Sequence, residues 1–200
     1  QIMQYRFTSQ GEMDNHAVGN LLLTALWDRD GDPVKGLDRV GQLLKVVGRV
    51  LPMALEPLDI EGSFENKNGI NLIRGQIQVA AAVGKVKELR LIPETPKATP
   101  EALSAIAAAD WVTIGPGSWL SSVMPHFLLK DLAKAVSQSS AKKIVILNLR
   151  GPDDADEFAG NTPEAHLKLV LSHLPTFKFD FAIADPSVLS SASRLEELVK

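Results

Sequence analysis

Apolar positions recur at helical spacing early in the chain and at strand spacing further on. Ala17, Val18, Leu21, Leu22, Leu23, Ala25 and Leu26 form a strongly apolar helix, dense enough in apolar residues to be expected buried on most sides. Gly31-Asp32-Pro33 closes it and starts a second helix, with proline suited to the first turn. Val34, Leu37, Val40, Leu43, Leu44 and Val47 give that helix a repeating core face. Two helices joined by a short turn make an αα-hairpin over 16–47. From Arg49 to Ile60 the pattern turns extended, with Pro52 and Pro57 hostile to a helix interior. Ile70 to Ala81 alternates in part, and Lys85 to Ile92 alternates Val86, Leu89 and Leu91 with charge. Asn66-Lys67-Asn68-Gly69 and Val83-Gly84-Lys85 read as the turns between them. Residues 49–92 are therefore predicted to form an antiparallel β excursion.

Beyond a proline-punctuated connector at 93–100, strands and helices alternate. A short Ala-rich helix at 100–110 leads into a strand at Trp111–Ile114, and a helix follows over Phe127–Ser137. Lys142 to Leu149 is a near-continuous apolar run, as expected of a parallel strand buried on both faces. Thr162-Pro163-Glu164 starts another helix, Phe177–Ala184 reads as a last buried strand, and the tail forms a terminal helix with Leu195 and Leu198. This order predicts an α/β fold: a doubly wound, mostly parallel Rossmann-like sheet over about 110–185, with the αα-hairpin and the antiparallel β excursion added. The whole of 1–200 is read as a single α/β domain.

The richest stretch chemically runs from Trp111 to Pro125. A strand breaks on Gly115-Pro116-Gly117 and then reads as a helix start, with Ser118 placed as its N-cap. Such a turn can present backbone amides and a helix dipole to a phosphate or carboxylate, with hydroxyls from Thr113, Ser118, Ser121 and Ser122 nearby. The plainer alternative is a tight strand-to-helix turn with a routine cap. The pattern is neither a Gly-x-Gly-x-x-Gly fingerprint, since Leu120 fills the last position, nor a P-loop. Asn148 also sits at a strand C-terminus, where ligands of such sheets collect, and it either donates to a sugar or base or caps its own loop. Trp27, Trp111 and Trp119 are expected in the core, with Trp119 placed to cover a base as the other reading.

Composition removes whole classes of function. A net charge of −3 with both signs interspersed gives no argument for nucleic acid or an anionic membrane. Zero cysteines exclude disulfides, thiol catalysis and cysteine-type metal sites. No apolar run reaches membrane-spanning length. His126 precedes a helix, and His166 and His173 lie seven apart on one helix with no carboxylate completing a metal cluster, so no metal site is expected. No Ser/His/Asp set has nucleophile-elbow context, and no catalytic residue is assigned. The pair Asp153-Asp154 reads as a solvated acidic loop, with a Mg²⁺ contact as the minority alternative. The first residue is Gln, which suggests a preceding segment.

These residues carry a resemblance. His16-Ala17-Val18-Gly19-Asn20-Leu21-Leu22-Leu23 resembles the Gly-His-x-x-Gly-Asn-Leu-Leu helix start of the CofD-like proteins. Gly48-Arg49-Val50-Leu51-Pro52 with Glu56-Pro57 is similar to the next family segment, and Ile114 to Ser118 with Ser121, Ser122 and Pro125 to its Gly-Pro-Gly-Ser loop. Ala141–Leu149 and Asp185-Pro186 follow in order. The chain looks most like the gluconeogenesis factors of actinobacteria. The family's Gly-Gly-Gly-Thr-Gly-like loop and Asp-Asp-Gly-Gly-Ser segment are not in this sequence, which would begin downstream of both. Where the family has Gln-Pro-Gly-Glu-Thr, this chain has Gly151-Pro152-Asp153-Asp154-Ala155.

The resemblance implies a cytoplasmic regulatory protein, not an enzyme. It would bind a nucleotide, with UDP-N-acetylglucosamine or NAD(P) as the ligand, and serve gluconeogenic growth, cell-wall precursor supply and cell shape. The ligand-binding residues would be His16, Gly19, Asn20, Thr113, Gly115, Pro116, Gly117, Ser118, Ser121, Ser122 and Asn148. On residues alone His16 reads first as a capped, hydrogen-bonded core histidine, and only the resemblance turns it toward the ligand. The alternatives are a 2-phospho-L-lactate transferase acting on a deazaflavin with Mg²⁺, and a protein-interaction scaffold. No nucleic-acid partner is expected, and a homo-oligomer is left open.

Overall fold

The structure is a computed structural model that describes residues 2–148, 163–186 and 192–199. Its contacts form two compact units, 1–55 and 56–200.

The first unit is the helical hairpin, α1 (Val18–Asp30) and α2 (Pro33–Leu44). Gly31 closes α1 in the left-handed region at φ 61°, its N–H donating to the Trp27 carbonyl at 2.8 Å. Asp32 caps α2 by accepting from the Val34 and Lys35 amides at 2.9 and 3.1 Å, with Pro33 in the first turn. Trp27 lies across Gly36, where a Cβ would collide with the indole. The expected burial of α1 on most sides does not hold: Gly19 is buried, Leu21 to Leu23 are half-buried, and Ala25 is exposed. Within this unit α1 packs on α2 and on the turn at Ile2–Gln4, two neighbours for an apolar surface that runs around the helix. The face of α2 is likewise buried only at Val34 and Val40. Leu43, Leu44 and Val47 are exposed, because Lys45, left-handed at φ 53°, turns the chain out of the helix.

The second unit holds two three-stranded sheets. The antiparallel one has the order β2–β1–β3, with β1 at Asp59–Asn66, β2 at Gly69–Arg74 and β3 at Lys85–Ile92. Asn66 pairs with Gly69 across the expected hairpin turn, and the Asn68 amide donates to the Asn66 side chain at 2.8 Å. β1 lies later than the extended run at 49–60. Its sequence Asp-Ile-Glu-Gly-Ser-Phe-Glu-Asn shows only Ile60 and Phe64 as large apolar residues, too few to reveal alternation, although both are buried. Glu61 is buried too, and Arg90 reaches across from β3 to bind it. The expected strand 70–81 breaks at Gly75, whose φ of 106° ends β2 and starts α3 (Gln76–Ala80).

The parallel sheet has the order β4–β5–β6, with β4 at Trp111–Ile114, β5 at Lys142–Ile146 and β6 at Phe181–Ile183. The helices of this unit are α3, α4 (Pro100–Ala107), α5 (Met124–Leu128), α6 (Lys130–Gln138), α7 (Pro163–His173) and α8 (Ala192–Leu198). Ile114, Val145, Trp119, Met124, Phe127, Leu167, Val170, Phe177 and Phe179 share one core with Phe64 and Leu89 from the antiparallel sheet. The fold is thus α/β, with a parallel core sheet and an antiparallel excursion. The expectation that β5 is buried on both faces is corrected: Val145 and Leu147 are buried, but Ile144 and Ile146 are only half-buried. Trp111, Phe181 and Ile183 on the flanking strands are exposed, with Trp111 and Phe181 in a tilted pair at 5.8 Å. Of the three tryptophans only Trp119 is core. No helix among the described residues is long and apolar enough to cross a membrane.

Candidate functional site

The loop that leaves β4 is held by backbone geometry at its start and by one side chain at its middle. Gly115 has φ 77°, and a Cβ added there would sit 2.7 Å from the Ile146 carbonyl oxygen on β5. Only glycine lets the chain turn this close to the neighbouring strand. Gly115→Ala is expected to lower stability by roughly 1–3 kcal/mol, from left-handed strain together with that contact. Urea unfolding checks it against Gly117→Ala, where the nearest atom to a Cβ is 3.7 Å away.

Asn148, just past β5, clamps the loop. Its Oδ1 accepts from the Gly117 amide and its Nδ2 donates to the Gly117 carbonyl, both at 2.9 Å. The carboxamide therefore holds both backbone polar groups of one loop residue, on the two peptides that flank it. Asn148 is thus engaged with the backbone of the loop after β4, not with a loop of its own.

After Gly117 the chain does not enter an ordinary α-helix. Residues Trp119–Val123 form a π-helical turn, and the Ser122 and Val123 amides both donate to the Ser118 carbonyl, at 2.8 and 3.0 Å. The expected N-cap is corrected here. The Ser118 side chain caps no amide; its Oγ accepts from Ser121 Oγ at 2.8 Å, because the wider turn carries the first amides away from it. The amides of Ser118, Trp119, Leu120 and Ser121 have no acceptor among the described residues. Trp119 is buried beneath this turn and stacks on the His166 ring at 5.0 Å and 12°, so it packs the core instead of covering a base.

A cavity of about 300 Å³ opens beside the loop. Thr113, Gly115, Pro116 and Ser122 line it with Ile106, Val112, Val123, Phe127 and Val136. His126 lines it as well, a residue that the sequence reading considered only as a metal ligand. The usable signal was its place one turn after Ser122 on the helix that leaves the loop.

The structure thus brings Thr113, Gly115, Pro116 and Ser122 to one cavity, ties Gly117 to Asn148, and pairs Ser118 with Ser121. His16, Gly19 and Asn20 belong to the first unit, at the start of α1. His16 and Asn20 are exposed there, and the Asn20 carbonyl accepts from Thr24 Oγ at 2.9 Å. Gly19 is buried against the Met3 carbonyl, where a Cβ would come within 2.8 Å. The acidic loop with Asp153 and Asp154 and the cap Thr162 lie outside the described residues.

Residues 1–198 match the family described as 2-phospho-L-lactate transferase CofD. The chain belongs to the CofD family. Over 98% of its length it is 41% identical to a gluconeogenesis factor homologue of Mycobacterium tuberculosis, of which it covers 58%. It is 32% identical, over 86% of its length, to the protein named gluconeogenesis factor in Halalkalibacterium halodurans, of which it covers 52%. This CofD-family chain therefore spans a little over half the length of the curated relatives it matches. Its fold is similar to the crystal structure of a UPF0052 family protein from Bacillus halodurans, with a TM-score of 0.84 and 28% identity over 98% of this chain and 67% of the other.

Proposed function

We propose that this chain is the nucleotide-binding part of a cytoplasmic gluconeogenesis factor. It would act as a regulator of gluconeogenic growth, cell-wall precursor supply and cell shape, with UDP-N-acetylglucosamine or NAD(P) as its ligand. The observation that carries the reading is the Gly117–Asn148 clamp. A bidentate side chain fixes a glycine loop, whose amides at 118–121 have no acceptor among the described residues, beside a cavity of about 300 Å³. Preorganised amides favour an anion, while the apolar wall favours a flat ring. The names of the longer relatives support the regulatory role.

The family description favours one second reading, transfer of a phospholactyl group from a nucleotide donor to a deazaflavin with Mg²⁺. In that case the loop amides would offset charge developing on the phosphates. Among the described residues no three His, Asp or Glu side chains converge as metal donors.

A thermal-shift titration with UDP-N-acetylglucosamine, NAD, NADP, GDP and a deazaflavin, with and without Mg²⁺, separates these readings. A native-state ligand stabilises by about 2.7 kcal/mol at a hundredfold excess over its Kd. A shift with the UDP-sugar or NAD(P), weakened in Asn148→Leu, is the expected result. A shift that requires GDP, deazaflavin and Mg²⁺ favours the transferase, and a folded chain that responds to none is left with a scaffold role.

A further inference from the structure

Among the described residues, His126 is the one titratable side chain in the lining of the loop cavity. Its Nδ1 lies 2.9 Å from the Ser122 carbonyl oxygen, one helical turn earlier. A carbonyl oxygen only accepts, so Nδ1 carries the hydrogen and the neutral ring is held in the Nδ1–H tautomer. Nε2 is then a bare lone pair, with no partner among the described residues. The rest of the lining offers Ile106, Val112, Val123, Phe127 and Val136, with the Thr113 and Ser122 hydroxyls as further polar groups, and His126 itself is exposed at the mouth. A fixed ring acceptor beside a mostly apolar lining orients a ligand through the ligand's own donor.

We propose that His126 is a specificity-determining residue of this cavity, and that its Nε2 accepts a hydrogen bond from an N–H or O–H of the bound nucleotide. The proposal rests on the nucleotide reading above and adds which end of the ligand enters. An ionised phosphate presents only acceptor oxygens, which a neutral Nε2 lone pair repels. A base imide or a sugar hydroxyl presents the donor that it lacks. The cavity therefore takes the base or sugar end, while the phosphates are left to the loop amides at 118–121.

Calorimetric titration at about pH 8 tests this directly. The wild-type chain and His126→Leu are titrated with UDP-N-acetylglucosamine, its N3-methyluracil analogue, its 2′,3′-dideoxyribose analogue, and UDP alone. His126 is exposed, so the leucine variant is expected to keep the wild-type Tm, which confirms folding. The expected result is an affinity loss of about tenfold in His126→Leu, the value of one hydrogen bond. One of the three altered ligands should lose a similar factor on the wild type and nothing further on the variant. Which ligand it is identifies the donor as base, ribose or N-acetylglucosamine. His126→Gln, whose amide oxygen also accepts, should recover part of the loss.

Equal affinity of wild type and His126→Leu for UDP-N-acetylglucosamine overturns the proposal. So does a loss in the variant that couples to none of the three ligand changes, since the ring would then act by shape. A wild-type chain that binds no UDP-N-acetylglucosamine overturns it too. Binding of NAD or NADP by the same chain would show that the nucleotide reading survives on its own, and no binding of any of them would show that both fail.

Discussion

Replacing Trp119 by alanine is expected to destabilise the second unit by about 3–5 kcal/mol, among the largest single effects in the chain. The indole is almost wholly buried, at 1% exposure, and lies in the core cluster with Val123, Met124 and Phe127. Removing it combines lost apolar transfer with a cavity that the surrounding helices fill only in part. Urea unfolding followed by circular dichroism would show the loss, with a fall in Tm on the order of 10 °C. Trp119→Phe keeps an aromatic ring against His166 and should lose distinctly less. Because Trp119 directly follows Ser118, the alanine variant is also expected to loosen the loop and weaken any ligand held there.

The second large effect is a pH dependence of stability set by His166. This ring is buried at 3% exposure, against Trp119. Burial pushes its pKa from the ordinary 6.5 down to about 4. The folded chain therefore holds it neutral, while the unfolded chain takes up a proton below about pH 6.5. Its contribution is complete above the unfolded value, falls as pH drops through 6.5 toward 4, and levels off below. The slope approaches about 1.4 kcal/mol per pH unit, for a total on the order of 3 kcal/mol. Asp180 is held below the usual carboxylate range by the Lys143 amide and the Lys142 ammonium, and Asp59 by the Arg74 guanidinium. Their contributions are lost only at lower pH, as each takes up a proton in the folded state. Urea midpoints measured at about pH 7.5, 5.5 and 4.5 should fall steadily in the wild type and change much less in His166→Phe. A wild-type profile as flat as the variant's would contradict the burial argument.

Much of this fold was legible because its signals were local. The hairpin turn at Asn66–Gly69 and the Asp32-Pro33 helix start depend on residues close in sequence, and each is found where it was expected, as is the break of β4 on Gly-Pro-Gly, though a π-helical turn follows it. The misses arose where burial depends on distant neighbours. The apolar content of α1, of the second helix's expected face and of β5 suggested burial, but Ala25, Leu43 and Val47 are exposed and Ile144 is half-buried. Conversely, β1 was hidden by its polar residues, since Glu61 is buried only because Arg90 arrives from β3 to pair with it. At the site, the glycines and hydroxyls of the loop could be read from spacing. The function of Asn148 could not, because its partner is a peptide 31 residues away. His126 was passed over for a related reason: the tautomer that makes it an acceptor is set by a backbone contact that no motif records.

Amide spectra of the ¹⁵N-labelled chain titrated with UDP-N-acetylglucosamine, and in parallel with NAD and NADP, test the nucleotide site most directly. The expected result is saturable binding of one of them, with the largest shifts at Gly115 and at Gly117 to Ser122. Saturable binding that leaves those amides in place and moves others instead would contradict it.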